Sequence, residues 1–309
     1  MEINRVSVIG FGAVGALYGS MISSVVDSFE VIVNGERKNR YESVGVEINN
    51  INKKFKFVDS KNAQEPQLLI IATKNNHLDQ VIEDIKDIVN ENTIILSLLN
   101  GIVSERILEK KFSKATILYS FAVGLSSENL SQKINYSSKG IIVFGSKYDK
   151  KTQAVVDVET LFKKADIKYK IPNNIQHDLW NKFMMNIVYN TISSILRAGY
   201  GVFKSEDVKS LLFKVSKEVQ LIASKEKIIL SDEDIKNNQN IIESLDPFGK
   251  TSMCQDIEAS RTTENKFFTK TIIDLAKKYK IDVPYCETLY YLAQGAEYRN
   301  EMIKNKKIN

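Results

Sequence analysis

Along the first half of the chain, short runs rich in β-branched and apolar residues come at 6–9, 30–33, 68–71, 93–96, 116–119 and 140–144. Leu68-Leu69-Ile70-Ile71 is apolar at every position instead of every second one. Strands of that kind are buried on both faces, as in a parallel sheet covered by helices. Between the runs, 77–89 carries Leu78, Val81, Ile82, Ile85 and Val89 at helical spacing. Segment 45–58 breaks the alternation and reads as a hairpin-like excursion. After 168–171 comes Pro172-Asn173-Asn174, beyond which the pattern turns to long helical periods with no strand. Proline cannot donate to a ladder, so a boundary is expected at 172. Helices are predicted over 174–197, 206–227, 232–244, 250–280 and 284–304, the fourth bent or interrupted. The expected fold is α/β, with an N-terminal Rossmann-type, mostly parallel sheet over 1–171 and a C-terminal all-helical domain over 172–309.

Composition narrows the class further. A length of 309 residues suits two domains. No apolar run approaches the roughly 18 residues that span a bilayer, so a soluble, non-membrane protein is expected. Met1-Glu2-Ile3-Asn4-Arg5 runs straight into the first apolar segment without the features of a signal peptide, which points to the cytoplasm. Two cysteines, Cys254 and Cys286, cannot build a disulfide framework or a four-thiolate site and read as buried small side chains. With only His77 and His177, a site of two histidines needs both from distant segments, and metal catalysis is set aside. The formal charge of +5 is scattered, and its densest cluster, Lys304-Asn305-Lys306-Lys307, reads as a solvated, frayed end and not as a nucleic-acid contact. A homodimer stays open.

Candidate chemistry begins at Gly10-Phe11-Gly12-Ala13-Val14-Gly15, which has the G-x-G-x-x-G spacing. The motif follows the apolar run 6–9 and opens a segment with Val14, Leu17, Tyr18, Met21 and Ile22 at helical spacing. That context makes it a dinucleotide-binding turn, with the pyrophosphate at the helix N-terminus. The next strand ends at Val33, followed by Asn34-Gly35-Glu36-Arg37-Lys38. A neutral tip with basic residues beyond it favours the 2′-phosphate of NADP over the bare ribose of NAD. Thr73-Lys74 and Asn100-Gly101 also follow predicted strands, where such folds place function.

In the second half, Lys182, Asn186 and Asn190 fall at i, i+4 and i+8 within Trp180-Asn181-Lys182-Phe183-Met184-Met185-Asn186-Ile187-Val188-Tyr189-Asn190. They form a polar stripe on an otherwise apolar helix, and partly buried polar groups need partners. Ser252 and Glu264 lie twelve residues apart, able to share one side of a straight helix with Asp256 and Arg261 between them.

Taken together, these motifs make the sequence similar to the ketopantoate reductase (2-dehydropantoate 2-reductase) family over nearly the whole chain. The resemblance rests on the glycine turn, Thr73-Lys74, Asn100-Gly101, the Trp180/Lys182/Asn186/Asn190 spacing, and Ser252-Met253-x-Gln255-Asp256 through Arg261-x-Thr263-Glu264. It implies NADPH-dependent reduction of 2-dehydropantoate to (R)-pantoate, on the way to pantothenate and coenzyme A. It further implies that Lys182 is the general acid and that Glu264 holds that lysine and the substrate's hydroxyl side. Asn100, Asn186, Asn190 and Ser252 would bind substrate polar groups, and Lys74 would contact the cofactor, as Asn100 also would. His177, five positions before Lys182, points to another helix face.

The chain departs from the family at Leu99, where an amide beside the nicotinamide is usual. It departs again at Asn34, where an arginine is usual, leaving the phosphate to Arg37 or Lys38, and at Asn265-Lys266-Phe267-Phe268 after Glu264. These departures leave open a reductase of another branched 2-keto acid, giving a D-2-hydroxy acid. A non-catalytic NADP(H)-binding regulator is the remaining alternative, and it would need no proton donor.

Overall fold

The computed structural model describes residues 2–130, 132–148 and 151–306. It divides into two compact units, Met1–Leu179 and Trp180–Asn309, and the division falls inside the helix that follows Pro172.

The first unit starts with β1 (Arg5–Ile9), α1 (Ala13–Ile22), β2 (Ser28–Ile32) and α2 (Glu36–Val44). A hairpin of β3 (Val46–Ile48) and β4 (Ile51–Lys53) follows, as the interrupted pattern there predicts, and then β5 (Phe57–Val58). Next come β6 (Leu68–Ile71), α3 (Leu78–Ile85), β7 (Ile94–Ser97) and α4 (Ser104–Lys111). The unit is completed by β8 (Thr116–Leu130), β9 (Lys133–Gly145), α5 (Gln153–Lys164) and β10 (Tyr169–Lys170).

The strands join in one sheet of order β4-β3-β9-β8-β7-β6-β1-β2-β5, with β10 beside β9. From β5 through β8 every pairing is parallel. The apolar runs are explained by burial on both faces. Leu68 and Ile70 of β6 belong to one apolar cluster and Leu69 and Ile71 to another, and all four are fully buried. β8 and β9 form a long antiparallel hairpin that reaches well beyond the apolar runs at 116–119 and 140–144. Its far half includes Ser126, Ser127, Ser138 and Lys139, which give no apolar signal because that part is not sandwiched between helices.

The second unit is helical, as its periodicity predicts. Its elements are α6 (Ile175–Met185), which straddles the division, a π-helical turn at Asn186–Asn190, and α7 (Thr191–Leu196). After these come α8 (Glu206–Lys225), α9 (Asp232–Glu243), α10 (Ser252–Glu258), α11 (Thr269–Tyr279) and α12 (Pro284–Lys306). The predicted helix at 250–280 is in fact two helices, α10 and α11, joined by a loop and a 3-10 turn at Asn265–Phe267. Ser252 and Glu264 therefore do not share one straight helix. Ser260, at φ +52°, turns the chain left-handed where that helix would have continued. The basic end is helical through Lys306 and exposed there, while Lys307 lies outside the described residues. Cys254 and Cys286 are both buried thiols. Among the described residues, no helix is long and apolar enough to cross a membrane.

From β1 the chain runs outward through β2 to β5 and then returns to β6 on the other side of β1. Strand order thus reverses at β1 and β6, and the crevice at their carboxyl ends is where such sheets bind ligands. Gly10, at φ +91°, and Gly15 make the turn there compact. A Cβ on Gly15 would lie 2.0 Å from the Gly10 carbonyl oxygen, whereas one on Gly12 would meet nothing within 4 Å. Gly15→Ala is therefore expected to lower the thermal midpoint, since forced overpacking costs about 1–3 kcal/mol. Gly12→Ala should melt within about 0.5 kcal/mol of the parent. Paired thermal melts check this, and equal losses at the two positions would contradict the packing described.

Candidate active site

In the first unit, the glycine turn leaves α1 with an uncapped N-terminus. Gly12 is the N-cap and makes no side-chain hydrogen bond, so the first amides of the helix face outward without an internal acceptor. The space above Gly12 is open, and the hydroxyl of Thr73, which packs against Gly10, is buried without a hydrogen-bond partner. An anion-accepting helix end, a clear approach and an unsatisfied hydroxyl suit the pyrophosphate and ribose of a dinucleotide. The motif's other side chains serve packing. Phe11 is buried against Tyr41, Phe55 and Phe57, and its carbonyl accepts from the Tyr41 hydroxyl at 3.1 Å. Ala13 and Val14 pack partly buried against the same core, and the Ala13 carbonyl accepts from the Tyr136 hydroxyl.

At the tip of the second strand, Asn34 is exposed, and its side-chain oxygen accepts from the Ser60 amide at 2.8 Å. Lys38 donates to Asp59 at 2.5 Å and lies 4.0 Å from Glu42. The hydrogen bond to Asp59 holds its ammonium above the ordinary lysine range. Of the two basic residues expected to meet a 2′-phosphate, Lys38 is thus already charge-compensated, and Arg37 stands exposed in the first turn of α2. Asp59 was not foreseen because it follows a strand of only two residues.

Lys74 is exposed at the head of a 3-10 turn, Asn75–His77. Its neighbour Asn75 is buried and donates through Nδ2 to the Asn100 carbonyl at 2.7 Å. The loops after β6 and β7 are tied together by that bond, a role no spacing in the sequence announces. Leu99 is buried in the core cluster with Leu78, Ile82 and Leu108. An apolar side chain at this position is part of the core packing.

In the second unit, Lys182 is half-buried on α6. Loss of water pulls its ammonium down to about 8, and the charge of Glu264 opposes that fall. The Lys182, Asn186, Asn190 stripe does not continue as a plain α-helix, because Asn186–Asn190 is a π-helical turn. Such turns recur at functional sites. Asn190 donates through Nδ2 to Asn186 Oδ1 at 3.4 Å, while Asn186 Nδ2 is buried with no hydrogen-bond partner. An unsatisfied buried donor costs about 1–3 kcal/mol in the absence of a ligand acceptor.

Glu264 is held by its neighbours. The amide and hydroxyl of Thr263 donate to Glu297 of α12. Asn265, fully buried, donates to the Tyr290 carbonyl at 3.1 Å and accepts from the Thr269 hydroxyl at 2.6 Å. Thr263, Asn265 and Glu297 are structural partners that sequence spacing did not single out. Ser252 is exposed at the start of α10, which Thr251 caps by accepting from the Cys254 amide at 3.2 Å. The chain ahead of α10 is fixed by backbone bonds from Tyr200 to Gly249 at 2.9 Å and from Gly201 to Pro247 at 2.8 Å. His177 lies beside Asp178, its Nδ1 3.4 Å from that carboxylate.

Comparison with known proteins identifies the family. The family model described as ketopantoate reductase PanE/ApbA matches residues 6–148, and its C-terminal counterpart matches residues 174–297. A 2-dehydropantoate 2-reductase of Pyrococcus horikoshii is 27% identical over 300 residues, covering 95% of this chain and 97% of that one. Among solved structures, D-mandelate dehydrogenase with NADH and anilino(oxo)acetate superposes with a TM-score of 0.87 at 22% identity, over 96% of this chain and 99% of that one. A PanE/ApbA family ketopantoate reductase from Ralstonia eutropha gives 0.84 at 21% identity, over 96% and 99%. At such identities the structural likeness establishes the fold alone. With both halves matched in order by the two parts of one family model, the chain belongs to the ketopantoate reductase PanE/ApbA family and is an NAD(P)-dependent oxidoreductase of the 2-keto acid and 2-hydroxy acid class.

Proposed function

We propose that this protein reduces 2-dehydropantoate to (R)-pantoate with NADPH. The observation that carries the reading is the pairing of a desolvated Lys182 with Glu264, on the helix where Asn186 presents a buried, unsatisfied amide. A dinucleotide-binding regulator needs neither. When bound, the nicotinamide supplies the hydride. Negative charge then builds on the carbonyl oxygen, and Lys182 both stabilises it and delivers a proton from Nζ. Glu264 keeps Lys182 in its charged form and accepts from the substrate hydroxyl. Asn100, Asn186, Asn190 and Ser252 bind the remaining polar groups. The turn from Gly10 to Gly15 and Lys74 hold the dinucleotide, and Arg37 meets its 2′-phosphate.

A second reading has one observation in its favour: Lys38 is already neutralised by Asp59, which weakens the positive field expected of an NADP site. On that reading the protein is a relative that uses NADH and a simpler 2-keto acid.

Lys182→Ala should lower kcat by about 10²- to 10⁴-fold with the fold intact, as loss of a general acid does. Because the charged form of Lys182 predominates below about 8, the rate of keto acid reduction should fall as pH rises through that value. Glu264 raises this pKa, so Glu264→Gln should move the fall to lower pH. A profile that stays put in the variant would separate Glu264 from Lys182.

For the cofactor, Arg37→Ala should weaken NADPH more than NADH, and Lys38→Ala should do so less than Arg37→Ala. Equal losses for both dinucleotides would show that neither side chain reads the phosphate.

The substrate is tested by initial rates at saturating NADPH. A site with a polar partner for the hydroxymethyl group leaves that partner unpaired with 2-ketoisovalerate, so kcat/KM should favour 2-dehydropantoate by at least about tenfold. A reversed preference would favour the simpler 2-keto acid of the second reading, whose cofactor is decided by the comparison of NADPH with NADH.

A further inference from the structure

A buried carboxyl that the chemistry above does not use lies at the base of the turn carrying Asn100. Glu105 is fully buried in the first turn of α4. The turn over 98–103 leaves from Ser97, the last residue of β7, and ends at Ser104, the first residue of α4. Ser97 Oγ and Ser104 Oγ are 2.9 Å apart, closing the turn at its base. Ser104 Oγ also donates to Glu105 Oε2 at 2.9 Å. A serine hydroxyl has one proton, so Ser104 must accept from Ser97. With Ser104 donating to the carboxyl, the chain of bonds runs from Ser97 through Ser104 to Glu105.

Two further bonds hold the same turn. The Ser120 hydroxyl, from β8, donates to the Ser97 carbonyl, and Asn75 grips the Asn100 carbonyl from the opposite side. Ser97, Ser104, Glu105 and Ser120 are each at most 1% exposed. A helix dipole favours an acidic residue in the first turn, yet an exposed one would serve equally. What needs explaining is the burial, which apolar residues would fill at lower cost.

We propose that Glu105 is a positioning residue which, through Ser104 and Ser97, holds the Asn100–Gly101 turn so that Asn100 presents one conformation to the dinucleotide. This rests on the assignment of Asn100 to that site. Burial pushes the Glu105 carboxyl up to about 7, with Ser104 and the Ser120 backbone pulling it down. The other titratable groups near it are Glu109 and Arg106 of α4, Tyr119 of β8, and Lys147, which pairs with Glu109 at 2.7 Å. Raised above its ordinary value of 4.5, the group stabilises the fold fully below that pH and loses the contribution as pH rises through about 7.

The test uses the full chain and the variants Glu105→Ala, Glu105→Gln and Ser104→Ala. NADPH affinity is followed by fluorescence titration, and amide exchange over 98–103 is followed without ligand. Losing the acceptor or the relay should raise the Kd and speed exchange in the turn by about tenfold each, the worth of one buried hydrogen bond, with β1 and β6 unchanged. Glu105→Gln keeps an acceptor for Ser104 and should stay within about threefold, while its thermal midpoint falls less than the parent's between pH 5 and pH 8. If Glu105→Ala does not fold, Ser104→Ala against Glu105→Gln decides. Unchanged exchange in the turn, or an equal loss throughout β1 and β6, would overturn the proposal. A loosened turn with unchanged Kd would instead remove Asn100 from the dinucleotide site, which is a failure of the functional assignment and not of the anchoring. Neither measurement involves a keto acid, so an error about the substrate leaves both intact.

Discussion

The constraint on which the first unit depends is that a parallel sheet must be dry on both faces. Its crossovers are helices, so β1, β6 and β7 are packed from both sides and their side chains are apolar at almost every position. That requirement leaves polar chemistry only one outlet, the carboxyl ends of the strands. Gly10, Thr73 and Asn100 all stand there, each just after a strand whose buried positions are mostly apolar.

The second unit solves a different problem, how to keep a cation available in a helical core. Desolvation disfavours the charged form of Lys182, and Glu264 counteracts it without matching it, so the ammonium settles near 8. On the role proposed for Lys182, a fully compensated pair would hold its proton too firmly for a general acid working near neutral pH. The carboxylate's placement is in turn fixed by neighbours, Thr263 on Glu297 and Asn265 on Tyr290.

Periodicity made the strands from 6–9 to 93–96, the helical second half and the hairpin at 45–58 legible, because each has a burial pattern that repeats along the chain. The extended β8–β9 hairpin was not legible beyond its apolar stretches, since antiparallel pairing there is made by backbone and leaves the side chains polar. The candidate site residues come from spacing and resemblance, whereas the residues that hold them in the structure gave no such signal. Asn75 and Asn265 owe their meaning to partners far along the chain, Asn100 and Tyr290, and Glu105 owes its meaning to burial, and a linear pattern carries no trace of either. The break between α10 and α11 depends on left-handed backbone at Ser260, a residue type with no strong preference for it.

The π-helical turn at Asn186–Asn190 also has a consequence for how this segment tolerates length changes. A π turn accommodates one residue more than the α-helical path it replaces. In a plain α-helix, losing one residue rotates what lies upstream against what lies downstream by about 100°, the angular step of one residue. Inside the π turn the same deletion would restore ordinary winding and leave Lys182 and Thr191 facing the neighbours they have now. Only the side chains between them would be redistributed, Asn186 and Asn190 first. The turn is thus the one stretch of this helix where a residue can be lost without turning one end against the other, and the change would be confined to its own polar groups.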